Sequence, residues 1–140
     1  TFATLSPVPQ FAAWLKRTPE ALEGFGLTLA QLTAGEWAND KAQARRLRDP
    51  IEQLAARYLY SVRQNGRPYD PVARFHLGNG ARIERINFLA DSSAKGFKQS
   101  CGLMVNYLYD PEEIEQNVEA FVGEERIAAT AAIRRLAKAQ

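Results

Sequence analysis

The sequence has very few of the residues that most often carry protein chemistry: among 140 residues there is one cysteine, Cys101, one histidine, His76, and one methionine. A single cysteine excludes a disulfide within the chain, and with a single histidine it leaves no Cys/His cluster for structural zinc. No apolar run approaches the roughly 20 residues that a membrane-spanning helix needs. These shortages predict a protein of a reducing compartment, with no metal site and no membrane span.

The sequence also has no large excess of charge of either sign. It contains 18 Lys and Arg residues and 16 Asp and Glu residues, which gives a net charge of +2. This balance gives no reason to expect a nucleic-acid or anionic-membrane partner. No glycine-rich phosphate loop is present. One basic run has helical spacing, which favours a solvated helix face over a phosphate site; it comprises Lys41, Arg45, Arg46 and Arg48.

The composition is that of one globular domain over residues 1–140, with 46% hydrophobic residues and enough length to bury a core. The fold class predicted is α/β, in the form of a mixed α+β sheet with flanking helices. The predicted strands are 1–5, 72–77, 81–90 and 103–109. The predicted helices are 11–16, the segment from Asp49-Pro50 to Val62, a short helix from Ser92-Ser93 to Gln99, one that begins at 110–113, and a last one with Ile127, Ala131 and Leu136.

His76 anchors the functional interpretation because an unperturbed histidine exchanges a proton near neutral pH. It lies in the run 70–81, which we predict to be a β-strand entering a tight turn at Gly78-Asn79-Gly80. Asn79 is then most simply a turn residue that tolerates a left-handed φ. A structural histidine with satisfied hydrogen bonds is the alternative to a catalytic one.

Two further side chains are candidates for chemistry. Ser6 stands where the first strand meets two prolines, a rigid position that can present its hydroxyl to a cleft. A capping or turn serine is the alternative. Cys101 could be a nucleophile with His76 as its base, but its uncharged, apolar surroundings favour a buried, inert thiol.

Several longer motifs carry a resemblance. They are Leu5-Ser6-Pro7-x-Pro9-x-Phe11-x-x-Trp14-Leu15, the block Pro71-Val72-Ala73-x-Phe75-His76-Leu77-x-Asn79-Gly80-Ala81, and the segments Arg85-Ile86-Asn87, Ser100-Cys101-Gly102, Asn106-Tyr107 and Tyr109. Together they resemble the malonyl-CoA decarboxylase family, most densely from 71 to 109. Among these motifs, the family's catalytic serine and histidine fall on Ser6 and His76, and a site tyrosine falls on Tyr109.

The resemblance implies a fold and an activity. The chain is expected to be the later, C-terminal part of a catalytic domain with the fold of acetyl-CoA-dependent N-acetyltransferases, without the upstream helical domain and CoA-binding half. The family converts malonyl-CoA to acetyl-CoA and carbon dioxide with no metal and no organic cofactor, CoA being part of the substrate. A homo-oligomer is expected. The final residues differ from the Ser-Lys-Leu peroxisomal signal, so a bacterial cytoplasm is expected, or the mitochondrial matrix in a eukaryote.

For the reaction, we expect His76 and Ser6 to hydrogen-bond the malonyl carboxylate and His76 to protonate the enolate. Tyr109 would line the pocket, Asn79 would help to orient His76, and Phe75 would keep the site dry. Asn106 and Ser100 complete the set as substrate-supporting residues. Two alternatives stay open at this point: a CoA-dependent acyltransferase or thioester hydrolase with Ser6 or Cys101 as nucleophile, and a non-catalytic acyl-CoA-binding module.

Overall fold

The computed structural model describes residues 1–139, which form a three-stranded sheet, a small two-stranded hairpin and flanking helices. The strands are β1 (Phe2–Pro7), β2 (Arg63–Gln64), β3 (Arg67–Pro68), β4 (Arg82–Asn87) and β5 (Met104–Tyr109). The α-helices are α1 (Phe11–Arg17), α2 (Leu29–Ala34), α3 (Lys41–Ser61), α4 (Pro71–Gly78), α5 (Ala94–Ser100), α6 (Ile114–Glu124) and α7 (Ala131–Lys138). The predicted mixed α/β class is confirmed.

The main sheet is antiparallel, with the order β1-β5-β4, so the last strand lies between the two earlier ones. Ser6 pairs with Val105 and Thr4 pairs with Tyr107. Directly paired residues share a face of the sheet, and alternate residues of a strand share a face. Ser6 and the buried Tyr107 and Tyr109 therefore lie on one face, and this face carries the site described below.

The hairpin predicted over residues 72–90 is wrong, because its first strand is absent: residues 71–78 form helix α4. Asp70 caps this helix by accepting a hydrogen bond from the amide of Ala73, at 2.9 Å. Pro71 occupies the first turn, where its missing N–H costs nothing. The buried side chains of Ala73 and Leu77 are four residues apart, the helical spacing of one face.

The predicted start of the long helix at Asp49-Pro50 is also wrong. Helix α3 begins at Lys41, and Asp40 caps it by accepting from two backbone amides. Pro50 lies inside the helix and has no N–H for the carbonyl of Arg46. The predicted apolar stripe does face the core, since its members Ile51, Leu54, Ala55 and Tyr58 are buried.

Other predicted boundaries hold more closely. Helices α1 and α5 and strand β5 form where they were predicted, and Ser93 caps α5. Strand β1 runs on through Pro7, α6 begins only at Ile114, and Ile127 lies before α7. Among residues 1–139, no helix is both long and apolar enough to cross a membrane.

Candidate active site

The structure brings Ser6, His76 and Tyr109 into one hydrogen-bonded run. The Nε2 atom of His76 is 3.2 Å from Oγ of Ser6, and its Nδ1 atom is 2.6 Å from the hydroxyl of Tyr109. Ser6 comes from β1, His76 from α4 and Tyr109 from β5. The three residues that the resemblance singled out therefore meet, although they belong to three separate elements.

The hydrogen bonds around the imidazole favour one tautomer. With the hydrogen on Nε2, Tyr109 donates to Nδ1, Nε2–H donates to Ser6, and Ser6 donates to Oγ1 of Thr4 at 3.4 Å. With the hydrogen on Nδ1, the hydroxyl hydrogen of Tyr109 would have no acceptor among residues 1–139. We therefore assign the hydrogen to Nε2. In this tautomer Ser6 accepts from His76, and its hydroxyl is not activated by a base.

The imidazole is held between aromatic side chains. Its ring stacks on Tyr107 with centroids 4.5 Å apart and an interplanar angle of 23°. The ring of Phe75 meets it edge-on at 5.2 Å. Phe75 is nevertheless 64% exposed, so in this chain it does not seal the site from water as we expected.

Partial burial of the His76 imidazole favours its neutral form. Partial burial lowers the pKa of His76 below its ordinary 6.5, because desolvation penalises the charged form. Burial likewise raises the pKa of the Tyr109 phenol. Both groups are therefore neutral at pH 7, with Nε2–H as a hydrogen-bond donor.

The tautomer of His76 can be tested by NMR of ¹⁵N-histidine-labelled protein, in which its signals are assigned by their absence from a His76→Gln variant. We expect a titration midpoint below 6.5 and, at pH 7.5, a protonated Nε2 beside an unprotonated Nδ1. Tyr109→Phe should move the tautomer toward Nδ1–H, whereas Tyr60→Phe, a matched change outside the site, should leave it unchanged. A midpoint at or above 6.5, or a protonated Nδ1 in the parent protein, would contradict the assignment.

The same shift links stability to pH. Between the lowered folded pKa of His76 and 6.5, the unfolded chain binds more protons than the folded chain. The contribution of His76 to the free energy of unfolding therefore falls as the pH drops through 6.5. It levels off below the folded pKa.

Asn79 does not orient His76 as expected. It ends helix α4 with φ of −96°, so its backbone is not left-handed, and its side-chain amide donates to the carbonyl of Phe75 at 3.0 Å. Gly80, the next residue, takes the positive φ instead. Asn79 thus closes the end of the helix rather than contacting the imidazole.

Asn106 and Ser100 also make contacts away from His76. Asn106 lies on the opposite face of β5 from Tyr107, where it donates to the carbonyl of Thr4 and accepts from Asn87. The buried hydroxyl of Ser100 accepts from the amide of Val8 at 3.0 Å. Both side chains fix the backbone around the site, and the structure does not bring them to the imidazole.

Cys101 is fully buried, and burial raises the pKa of its thiol to about 12. A thiol with such a pKa is not a thiolate at neutral pH, so it is no nucleophile. Within the described part of the chain, no group of three or more His, Cys, Asp and Glu residues is arranged to hold a metal ion.

The pattern reading of the sequence missed two residues of this site. Asp70 is 0% exposed and accepts from the hydroxyl of Tyr58 at 3.0 Å as well as from the amide of Ala73. Tyr107, the stacking partner of His76, is fully buried. The signal for Asp70 was its position before Pro71, which marks the start of the helix that carries His76.

Comparison with known proteins gives this site a family. The family model for the malonyl-CoA decarboxylase C-terminal domain matches residues 1–140. The chain is 38% identical to the mitochondrial malonyl-CoA decarboxylase of Rattus norvegicus, over 92% of this chain and 31% of that protein. It thus spans about a third of the length of the curated relatives it matches.

Solved structures agree. The crystal structure of malonyl-CoA decarboxylase from Rhodopseudomonas palustris is similar with a TM-score of 0.86 and 50% identity, over 97% of this chain and 33% of that one. The Agrobacterium vitis structure is similar with a TM-score of 0.83 and 47% identity, over 96% of this chain and 35% of that one. Since the family model covers the whole chain, the chain belongs to the malonyl-CoA decarboxylase family.

Proposed function

We propose that this chain is the C-terminal part of the catalytic domain of a malonyl-CoA decarboxylase, which converts malonyl-CoA to acetyl-CoA and carbon dioxide. The observation that supports this best is the hydrogen-bonded run Tyr109–His76–Ser6 in a chain of this family. When a substrate replaces the present bonds to Ser6 and Thr4, the two donors Nε2–H and the serine hydroxyl are available at one place. A carboxylate is the acceptor that such a pair of donors suits.

In the first step, Ser6 and His76 hold the malonyl carboxylate out of the plane of the thioester. The bond between the carboxylate carbon and the α-carbon breaks, and its electron pair passes through the α-carbon into the thioester carbonyl. Carbon dioxide leaves and an enolate remains. This step requires orientation and no nucleophile.

In the second step, the α-carbon of the enolate takes the proton of Nε2 on His76. Nδ1 takes the hydroxyl proton of Tyr109 at the same time, so no imidazolate accumulates. A proton from water then enters at Nε2 while Nδ1 returns its proton to the phenolate oxygen, which restores the starting tautomer. A thioester enolate is far more basic than a phenolate, so the transfer stays downhill even with the raised pKa of Tyr109.

This scheme requires no metal and no organic cofactor, since CoA belongs to the substrate. We also propose that the protein is a homo-oligomer and that it acts in a bacterial cytoplasm. The location is favoured by the higher identity to the bacterial relatives, 50% and 47%, than to the rat mitochondrial relative, 38%.

The competing acyltransferase or hydrolase would need Ser6 or Cys101 as a nucleophile. The assigned tautomer points Nε2–H at Ser6, so the base that a serine nucleophile requires is missing. Cys101 is buried and protonated. The geometry therefore favours decarboxylation.

The products decide between these functions. With malonyl-CoA we expect carbon dioxide and acetyl-CoA in equal amounts and no acyl-enzyme in the mass spectrum. Ser6→Ala should lower kcat by about 10- to 100-fold without changing the products, because it removes one positioning contact. Ser92→Ala, an exposed serine outside the site, should have no effect. Free malonate with CoA, or a covalent acyl-serine, would overturn the proposal; tight binding of unchanged malonyl-CoA would favour a binding module.

A further inference from the structure

A buried polar atom lies beneath the imidazole. The hydroxyl of Tyr107 is enclosed by protein, yet it is the one buried side-chain nitrogen or oxygen in residues 1–139 that has no hydrogen-bond partner. The ring of this tyrosine is the surface on which His76 stacks. Buried hydroxyls are paired in the great majority of native proteins, and an orphan one is costly. The hydroxyl therefore calls for an acceptor close to the site.

Asp70 is a candidate for this acceptor. The carboxylate of Asp70 is fully buried and receives one bond on each oxygen, from Tyr58 on Oδ1 and from the amide of Ala73 on Oδ2. Two carboxylate oxygens offer about four acceptor sites, so capacity remains. No salt bridge neutralises Asp70 within the described residues. Its charge is near enough to Tyr107 to help burial raise the pKa of that phenol.

We propose that Asp70 is a positioning residue for His76 and acts on the imidazole from two sides. On one side its carboxylate caps α4, the helix that carries His76. On the other side it accepts, through one bound water, the hydrogen of the Tyr107 hydroxyl, which fixes the ring under the imidazole. Such a water has at least two polar partners, as a buried water requires.

The proposal predicts a particular kinetic signature, and for that readout it rests on the proposed decarboxylase function. The side chain of Asp70 is fully buried and makes no contact with a bound substrate, so its replacement should leave binding intact. A small displacement of His76 from its donor position should slow the chemistry instead. Changes in kcat with little change in KM are therefore expected.

Asp70→Asn separates positioning from capping. Asparagine is as good an N-cap as aspartate, so α4 should stay formed. Its amide group has one acceptor oxygen where the carboxylate has two, so the bonds from Ala73, Tyr58 and the water on Tyr107 compete for that oxygen, which weakens the link to Tyr107. We expect kcat to fall about 10- to 100-fold with KM within about twofold, and the ¹⁵N signals of His76 to shift. Asp49→Asn, a matched change at an exposed position of α3, should change neither. An Asp70→Asn variant with parental kcat and parental His76 signals would overturn the proposal.

Tyr107→Phe tests the hydroxyl through the sign of its effect on the melting temperature. If the hydroxyl bonds to Asp70 through water, its removal should lower Tm and reduce kcat severalfold, and the double variant with Asp70→Asn should be no slower than Asp70→Asn alone. If the hydroxyl has no partner, its removal should raise Tm. A raised Tm, or fully additive losses in the double variant, would overturn the proposal. If the parent releases no carbon dioxide, the proposed function fails, while Tm and the His76 signals still test the positioning role.

Discussion

Replacement of His76 by glutamine is expected to lower kcat for malonyl-CoA decarboxylation by at least about two orders of magnitude, the usual contribution of general acid catalysis. The Nε2 amide of glutamine can still donate toward Ser6 and a bound carboxylate. It cannot transfer a proton to carbon. The loss should therefore fall on kcat, whereas KM should change little. Steady-state release of carbon dioxide measures both.

His76→Ala serves as the companion variant, because it removes the donor as well as the acid. We expect it to raise KM in addition to lowering kcat. Circular dichroism and the melting temperature must show that both variants fold, since the ring also packs on Tyr107. A glutamine variant as fast as the parent would remove His76 from the reaction and leave the family membership intact.

Replacement of Gly80 by alanine is expected to destabilise the fold by about 3 kcal/mol, which combines a left-handed backbone cost of about 1–2 kcal/mol with overpacking of about 1–3 kcal/mol. Gly80 has φ of +93°, and a Cβ there would lie 2.7 Å from the carbonyl oxygen of Ile114. That oxygen is backbone and cannot swing aside. The free energy of unfolding in urea measures the effect.

Gly123→Ala is the matched control with the opposite sign. Gly123 lies inside α6, has no positive φ, and a Cβ there would meet no atom within 4 Å. Alanine should stabilise this helix by about 0.5–1 kcal/mol, because it restricts the unfolded chain and favours the helix. A Gly80→Ala variant as stable as the parent protein, or a loss at Gly123 as large as that at Gly80, would contradict the prediction.

Sequence patterns predicted most of the sheet but mistook α4 for a strand. The segment 72–77 is short enough to fit a period of two as well as the helical period, since Ala73 and Leu77 share a face in either conformation. Gly78 and Gly80 then suggested a hairpin turn. The Asp70-Pro71 pair carried the deciding signal, because a capping aspartate followed by proline favours a helix start.

The same dipeptide at Asp49-Pro50 led to the opposite error, because it predicted a helix start where the structure has none. There the helix had already started at Lys41, and its buried stripe includes Leu47, before the proline. A proline inside a helix costs stability locally, and the packing of a long apolar face can outweigh this cost. Local signals of this kind mark where a helix can start, while tertiary packing decides where it does.

The residues of the candidate site were predictable only in part. Nothing in their spacing placed Ser6 beside His76, 70 residues away, and their pairing came from the resemblance. Asp70 and Tyr107 were not foreseen, because burial and an unpartnered hydroxyl are properties of the packed structure. Asn79, predicted to steady the imidazole, instead closes its helix.

The insertion of β5 between β1 and β4 has a consequence for biosynthesis. Thr4 and Asn106, whose strands pair, are 102 positions apart, and the candidate site needs residues from both strands. A ribosome adds about 5–20 residues per second, so β1 must wait roughly 5 to 20 seconds for its partner. During that interval the edge of the nascent strand that later pairs with β5 is unpaired, and a chaperone that shields this edge should increase the yield of folded protein.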